Sequence, residues 1–160
     1  MERKYSFAPL ADNRSKVLIL GSLPGAESLR KQQYYGNPQN VFWRIIYAVF
    51  DSEPEIDYTA RCVFILKNKL ALWDVCRSAE RSGSADSKIA AVESNDIAGL
   101  LCRYPDIDRV LLNGRKAESE YNRYYKDLPV STIYVPSTSP AFAAIPFTEK
   151  LKIWREALML

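Results

Sequence analysis

Four short apolar runs recur along the chain, and each ends in a turn-forming or polar residue. Residues 16–20 (KVLIL) run into Gly21 and Pro24, and residues 70–73 (LALW) into Asp74. Residues 109–112 (RVLL) run into Asn113 and Gly114, and residues 132–135 (TIYV) into Pro136. Such runs predict buried strands. Between and after them lie stretches with helical spacing. Residues 41–50 (VFWRIIYAVF) are apolar over most of a helical surface, 57–69 and 95–103 are plausible helices, and 115–125 is a polar one. Residues 148–158 form an amphipathic pattern with Thr148 as the expected N-cap. Strands that alternate with helices four times predict an α/β fold with a parallel sheet covered on both faces.

In that architecture ligands bind outside the carboxyl ends of the strands. The four strand ends here are all chemically unusual: Gly21 to Gly25, Trp73-Asp74, Asn113-Gly114, and the run from Pro136 to Phe142. Their coincidence is the main reason to expect a site.

Composition narrows the chemistry. A chain of 160 residues has one domain's length, and 48% hydrophobic with 26% charged residues excludes disorder as the main state. There is no histidine. That removes Ser-His-Asp and Cys-His systems, a His general base and His-ligated zinc. The three cysteines, Cys62, Cys76 and Cys102, are widely spaced, which excludes a disulfide framework and a four-cysteine iron–sulfur site. No metal or other cofactor is expected. The first ten residues (MERKYSFAPL) lack the apolar core of a secretory signal, and no apolar run reaches membrane-spanning length. A cytoplasmic location without membrane association is expected.

The net charge of +3 permits a nucleic-acid partner without demanding one. Residues 1–50 hold seven basic and three acidic groups, a basic excess beside the first strand end. From Leu128 to Thr148 there is no charged residue, which suits a surface that presses against a partner.

Each candidate has a functional and a structural reading. Gly21, Ser22, Leu23, Pro24 and Gly25 form a turn whose N–H groups could hold an anion, although neither a P-loop nor a complete dinucleotide fingerprint is present. Tyr34 and Tyr35 could stack a base or fill the core, and Asn40 could read a base or cap the helix after it. Asp74 could steady positive charge, position water or cap the next element. Asn113 offers an amide or a turn. In the loop from Ser137 through Ser139 to Phe142, hydroxyls could bond phosphate, and Phe142 could be a wedge between bases or a tucked core residue.

Together these motifs resemble the uracil-DNA glycosylase superfamily. They are GSLPG (21–25), YYGNPQNVFW (34–43), LWDV (72–75) followed by ERSGSADS (80–87), LNGRKA (112–117) and PSTSPA (136–141). The likeness spans roughly residues 16 to 155. It is nearest to the hypoxanthine-DNA glycosylase branch and more distant from the G:T/U mismatch-specific enzymes. The resemblance implies a three-layer α/β/α sandwich around a four-stranded parallel sheet, in one glycosylase-like domain over residues 1–160. It implies a cofactor-free, monomeric, monofunctional base-excision enzyme acting on double-stranded DNA with a deaminated base. Hypoxanthine is the first expected target, uracil and xanthine are secondary, and single-stranded DNA is left open. It also implies that Asn40 is the catalytic amide, that Tyr35 stacks on the flipped base, that residues 21–25 form the first motif, and that residues 137–142 grip phosphate and fill the vacated stack. The sequence departs from the family at Leu23, where many uracil-specific members carry Asp or Asn, and at Ser137, where many carry His. Both point away from efficient uracil removal. Phe142 stands where close relatives are expected to be polar.

On this reading the target nucleotide leaves the duplex for a pocket. Arg30, Lys31, Arg115 and Lys116 are the candidate phosphate contacts. Amide donors and backbone N–H groups at the strand ends stabilise the departing base, Asn40 either donates to that base or positions the water, and Asp74 is an electrostatic partner for the oxocarbenium-like sugar. No lysine is placed to form a Schiff base. Two alternatives stay open: a non-catalytic nucleic-acid binding module on the same fold, and a hydrolase of free nucleotides or nucleosides.

Overall fold

The computed structural model describes residues 2–159. In chain order its elements are β1 (Arg3–Tyr5), β2 (Val17–Gly21), α1 (Ala26–Lys31), α2 (Phe42–Val49), α3 (Tyr58–Lys67), β3 (Leu70–Asp74), β4 (Cys76–Glu80), β5 (Ala90–Ser94), α4 (Ile97–Arg103), β6 (Arg109–Asn113), α5 (Arg115–Tyr125), β7 (Ser131–Val135) and α6 (Phe147–Met159).

Alternation along the buried strands builds the layers. Strands β3, β2, β6 and β7 lie side by side in that order, all parallel. Successive side chains on a strand face opposite sides. Val17, Ile19, Leu70, Leu72 and Leu111 therefore pack on one face, against Ile45 and Ile46 of α2, Ile65 of α3 and Trp154 of α6. Leu18, Leu20, Ala71, Val110 and Leu112 pack on the other, against Ile97 and Leu100 of α4 and Tyr121 of α5. Helices cover both faces of a four-stranded parallel sheet, so the expected α/β/α sandwich is the fold.

Helix ends shift from expectation by a residue or two, for local reasons. Asp57 and Asp96 lie just outside α3 and α4 as N-caps, accepting from Ala60 N and Gly99 N at 2.9 Å each. Helix α6 starts at Phe147, and Lys150 N donates to Pro146 O at 3.0 Å. Thr148 is thus inside the helix and is not its cap.

A second sheet goes beyond what the sequence predicts. Strands β1, β4 and β5 pair antiparallel in the order β1-β4-β5. The chain leaves β3 through Val75, and Val75 N and Cys76 N donate to Gly21 O and Ser22 O at 2.9 and 3.0 Å. The second sheet thereby grows from the carboxyl end of β2. Leu23, Cys76, Ala79 and Ile89 make a small core beneath it.

Candidate active site

The four strand ends converge on one cavity of about 300 Å³. Its floor is the end of β2 against the end of β3. A Cβ on Gly21 would stand 2.5 Å from Asp74 Oδ1 and 3.3 Å from the Tyr35 hydroxyl, so the floor has room for no side chain at position 21. Asp74 is only 5% exposed, and its Oδ2 has no hydrogen-bond partner. Burial pushes its carboxyl up to about 7; the nearby Asp86 carboxylate adds to this and the Arg81 guanidinium opposes it. A carboxyl in this state is half protonated near neutrality and can donate as well as accept.

The segment between α1 and α2 supplies one wall. Tyr35 has φ of 52°, and its ring stacks on Phe42 at 3.9 Å and 17°. Its hydroxyl accepts from Asn113 Nδ2 at 3.3 Å, and burial raises its pKa. Tyr34 donates through its hydroxyl to Ala8 O at 2.6 Å and meets Phe7 edge-on at 5.2 Å. Asn40 lines the same cavity. Its Oδ1 accepts from Phe42 N at 2.9 Å, which leaves Nδ2 as the atom it can offer a ligand. Val41 and not Asn40 is the N-cap of α2, yet the bond from Phe42 N holds the Asn40 side chain against the start of the helix and leaves its amide as a fixed donor.

Asn113 does something other than expected. Its Nδ2 donates to the Tyr35 hydroxyl and to Thr138 Oγ1 at 3.1 Å, and its Oδ1 accepts from Thr138 N at 3.1 Å. Both amide hydrogens are used, so Asn113 ties β6 to the tyrosine and to the loop after β7. The same loop is locked by Ser137 Oγ accepting from Ser139 N at 3.1 Å and Ser139 Oγ accepting from Ala141 N at 3.2 Å. Phe142 is half-buried. Its carbonyl accepts from Lys150 Nζ at 2.9 Å, and that ammonium lies 5.4 Å from the ring centroid. The exposed residues of the loop are Pro140, Ala141, Ala143 and Ala144, so Phe142 is held back from the tip.

The first turn divides its labour. Leu23 packs in the core beneath the second sheet and, with Pro24 and Gly25, also lines the cavity. Ser22 Oγ donates to Asp86 Oδ1 at 2.8 Å, and Gly25 precedes α1, whose Ala26 N donates to Ser84 Oγ at 2.9 Å. Ser84, Ala85 and Asp86 form a further wall. Sequence reasoning missed this wall as a site component, and Phe7 as well. The run SGSADS was a turn-rich signal for the wall; Phe7 had none, because it reaches the cavity through the non-local pairing of β1 with β4.

A second cavity of about 570 Å³ adjoins the first across Ser84, Asp86, Ser137 and Ser139. Arg115, Lys116, Tyr134 and Phe142 line it, and the Arg115 guanidinium lies 3.7 Å over the Tyr134 ring. Arg30 and Lys31 line neither cavity. Arg30 pairs with Glu27 at 2.9 Å, and Lys31 Nζ donates to Gly36 O at 2.8 Å.

Comparisons with known proteins give the chain its family. The family model of the uracil DNA glycosylase superfamily matches residues 8–158. A protein of Methanosarcina acetivorans named hypoxanthine DNA glycosylase is 41% identical over 139 residues, 86% of this chain and 87% of its own. Its namesake in Methanosarcina barkeri is 38% identical over 140 residues, covering 87% and 88%. The solution structure of a Methanosarcina acetivorans protein described as a candidate uracil DNA glycosylase superposes with a TM-score of 0.87 at 36% identity, over 98% of this chain and 97% of that one. With a family match running nearly end to end and relatives this similar, the chain belongs to the uracil DNA glycosylase superfamily and is a DNA glycosylase.

Proposed function

We propose that the protein removes hypoxanthine from DNA by hydrolysing the N-glycosidic bond of a flipped deoxyinosine, with uracil and xanthine as lesser substrates. The observation that carries the reading is a buried, unpartnered carboxyl oxygen on Asp74, in a cavity that also holds the free amide donor of Asn40 and the Tyr35 ring. The relatives named for hypoxanthine removal, and Leu23 in place of a polar side chain in the first turn, favour hypoxanthine over uracil.

The steps follow from the geometry. A base inside the duplex is out of reach, so the nucleotide is extruded and its ring enters the first cavity. Tyr35, braced from behind by Phe42, gives it an aromatic wall. The C1′–N bond breaks with its electrons going to the base. Asn40 Nδ2 donates to the charge that develops there, and one aimed donor of this kind is worth roughly 2.7–4 kcal/mol. Asp74 lies at the floor, so it meets the base and not the sugar at the mouth. Its protonated form supplies the proton that neutralises the departing purine, a role distinct from the sugar-cation partner expected from sequence and separable from it by pH dependence. Water adds to C1′ of the oxocarbenium-like sugar, and the proton it loses restores Asp74 through solvent. Arg115 and Lys116, with the hydroxyls of Ser137 and Ser139, take the flanking phosphates in the second cavity.

The test is release of free base from duplexes carrying deoxyinosine, uracil, xanthine or a G:T mismatch, followed by alkaline cleavage of abasic sites. Deoxyinosine should react first. Binding without release would favour the non-catalytic module, and release from free inosine without a DNA preference would favour a nucleoside hydrolase.

A further inference from the structure

Arg81, at the start of the segment that joins β4 to β5, is 2% exposed, which is rare for arginine, and its Nε has no hydrogen-bond partner. Its guanidinium donates to Pro24 O and lies 3.8 Å from Asp86 Oδ1. The same Asp86 oxygen accepts from Ser22 Oγ at 2.8 Å. One side chain therefore holds the GSLPG turn at two points, Pro24 directly and Ser22 through Asp86. On the cavity side of that turn, Asp74 Oδ1 occupies the space above Gly21. Arg81 and Asp74 make no direct ion pair, yet each keeps a buried polar atom unpartnered. A well-packed apolar residue would fill the place of Arg81 with less desolvation, so stability is a poor account of a charge here.

We propose that Arg81 is a positioning residue of the base cavity: from behind its wall it locks the Gly21-to-Gly25 turn and Asp86 together, and so fixes the floor on which Asp74 lies. The inference rests on the reading that this cavity excises a base. It assigns the segment after β4 a part in catalysis although it touches no reacting atom. The charged and titratable groups facing Asp74 are Arg81 and Asp86 from this segment, Tyr34 and Tyr35 from the segment before α2, and Cys76 from β4. Asp86 favours the protonated form of Asp74 and Arg81 the ionised form, so removing them should have opposite effects. A merely structural role has no reason to produce that opposition.

The experiment follows the Asp74 carboxyl carbon by NMR titration of the full chain labelled at aspartate, with the resonance identified by its loss in Asp74→Asn. Single-turnover release from a deoxyinosine duplex is measured in parallel. Asp86→Asn should lower the titration midpoint and Arg81→Met should raise it, each by about half a pH unit or more. Arg81→Lys should move it little. Arg81→Met, Arg81→Lys and Asp86→Asn should all slow release at saturating DNA by about tenfold or more, because the turn loses its lock. Should Arg81→Met fail to fold, Asp86→Asn and Arg81→Lys carry the test. An Asp74 midpoint that stays put in Asp86→Asn, or amide signals of Ser22, Leu23 and Gly25 that are unchanged in Arg81→Lys and Arg81→Met, overturns the proposal. The titration needs no DNA, so a wild-type protein that releases no base would defeat the functional reading and leave this result standing by itself.

Discussion

Gly21 and Asp74 are matched as a pair: a Cβ at position 21 would sit 2.5 Å from Asp74 Oδ1, so the carboxyl occupies the space that any other residue at 21 would need. Asp74 can lie flat on the end of β2 because the neighbour there has no side chain. Gly21→Ala should displace the carboxyl and overpack the floor, at about 1–3 kcal/mol. For a chain of this length that lowers Tm by roughly 2–12 °C. Base release should fall with it. A thermal melt with a deoxyinosine assay checks both, and an alanine variant with normal activity would contradict the described floor.

The proton on Asp74 gives the reaction a pH signature. If the protonated carboxyl serves the leaving base, kcat/KM is level on the acid side and falls as pH rises through about 7. Asp74→Asn should lose about 10²-fold in rate and that alkaline limb with it. If instead Asp74 acted as an anion toward the sugar cation, activity would rise through the same range. A pH–rate profile of wild type and variant decides between them.

The same group sets a pH dependence of stability with the opposite sign from most acidic residues. Its folded pKa is raised from 3.8 to about 7, so the native state holds a proton that the unfolded chain releases. The contribution is fully present below pH 3.8 and is lost as pH rises through about 7, amounting to at most about 4 kcal/mol. Asp74→Asn should therefore melt higher than wild type at pH 8, and the gap should narrow toward pH 5. Melting curves across that range measure it.

Salt separates the basic residues. Arg115 and Lys116 line the second cavity, each also paired on its own helix, with Glu118 at 2.8 Å and Glu120 at 2.9 Å, whereas Arg30 lines neither cavity. Replacing Arg115 and Lys116 by alanine should weaken duplex binding and flatten the slope of log K against log salt by roughly 0.9 for each phosphate that is no longer neutralised. Arg30→Ala should leave the slope as it is.

Much of this arrangement was legible along the chain. The runs KVLIL, LALW and RVLL are apolar because their strands are covered on both faces, TIYV is the half-buried edge strand β7, and each became a strand of the parallel sheet. Gly21 and Asp74 were readable because they stand at strand ends, where this architecture exposes polar groups, and Tyr35 and Asn40 because they lie in the run YYGNPQN that carries the family resemblance. The second sheet was not readable. Strand β4 (CRSAE) buries Cys76, Ser78 and Ala79, small residues with no apolar stripe, and its partner β1 lies far off in sequence. Phe7 enters the site through that sheet and was hidden with it, whereas Arg81 and Asp86 lie in the run ERSGSADS, whose turn signal did not tell which of its side chains face the site. Asn113 was placed correctly at the cavity, yet its use in holding Tyr35 and Thr138 depends on contacts 78 and 25 residues away.

The most direct measurement is the amount of free hypoxanthine released from a deoxyinosine duplex under single-turnover conditions, by wild type and by Asn40→Ala. The account predicts complete release by the wild type and a drop of about 10²–10³-fold in the variant, the usual cost of one aimed donor to a developing anion. No free base from the wild type, or equal rates for the two proteins, would contradict it.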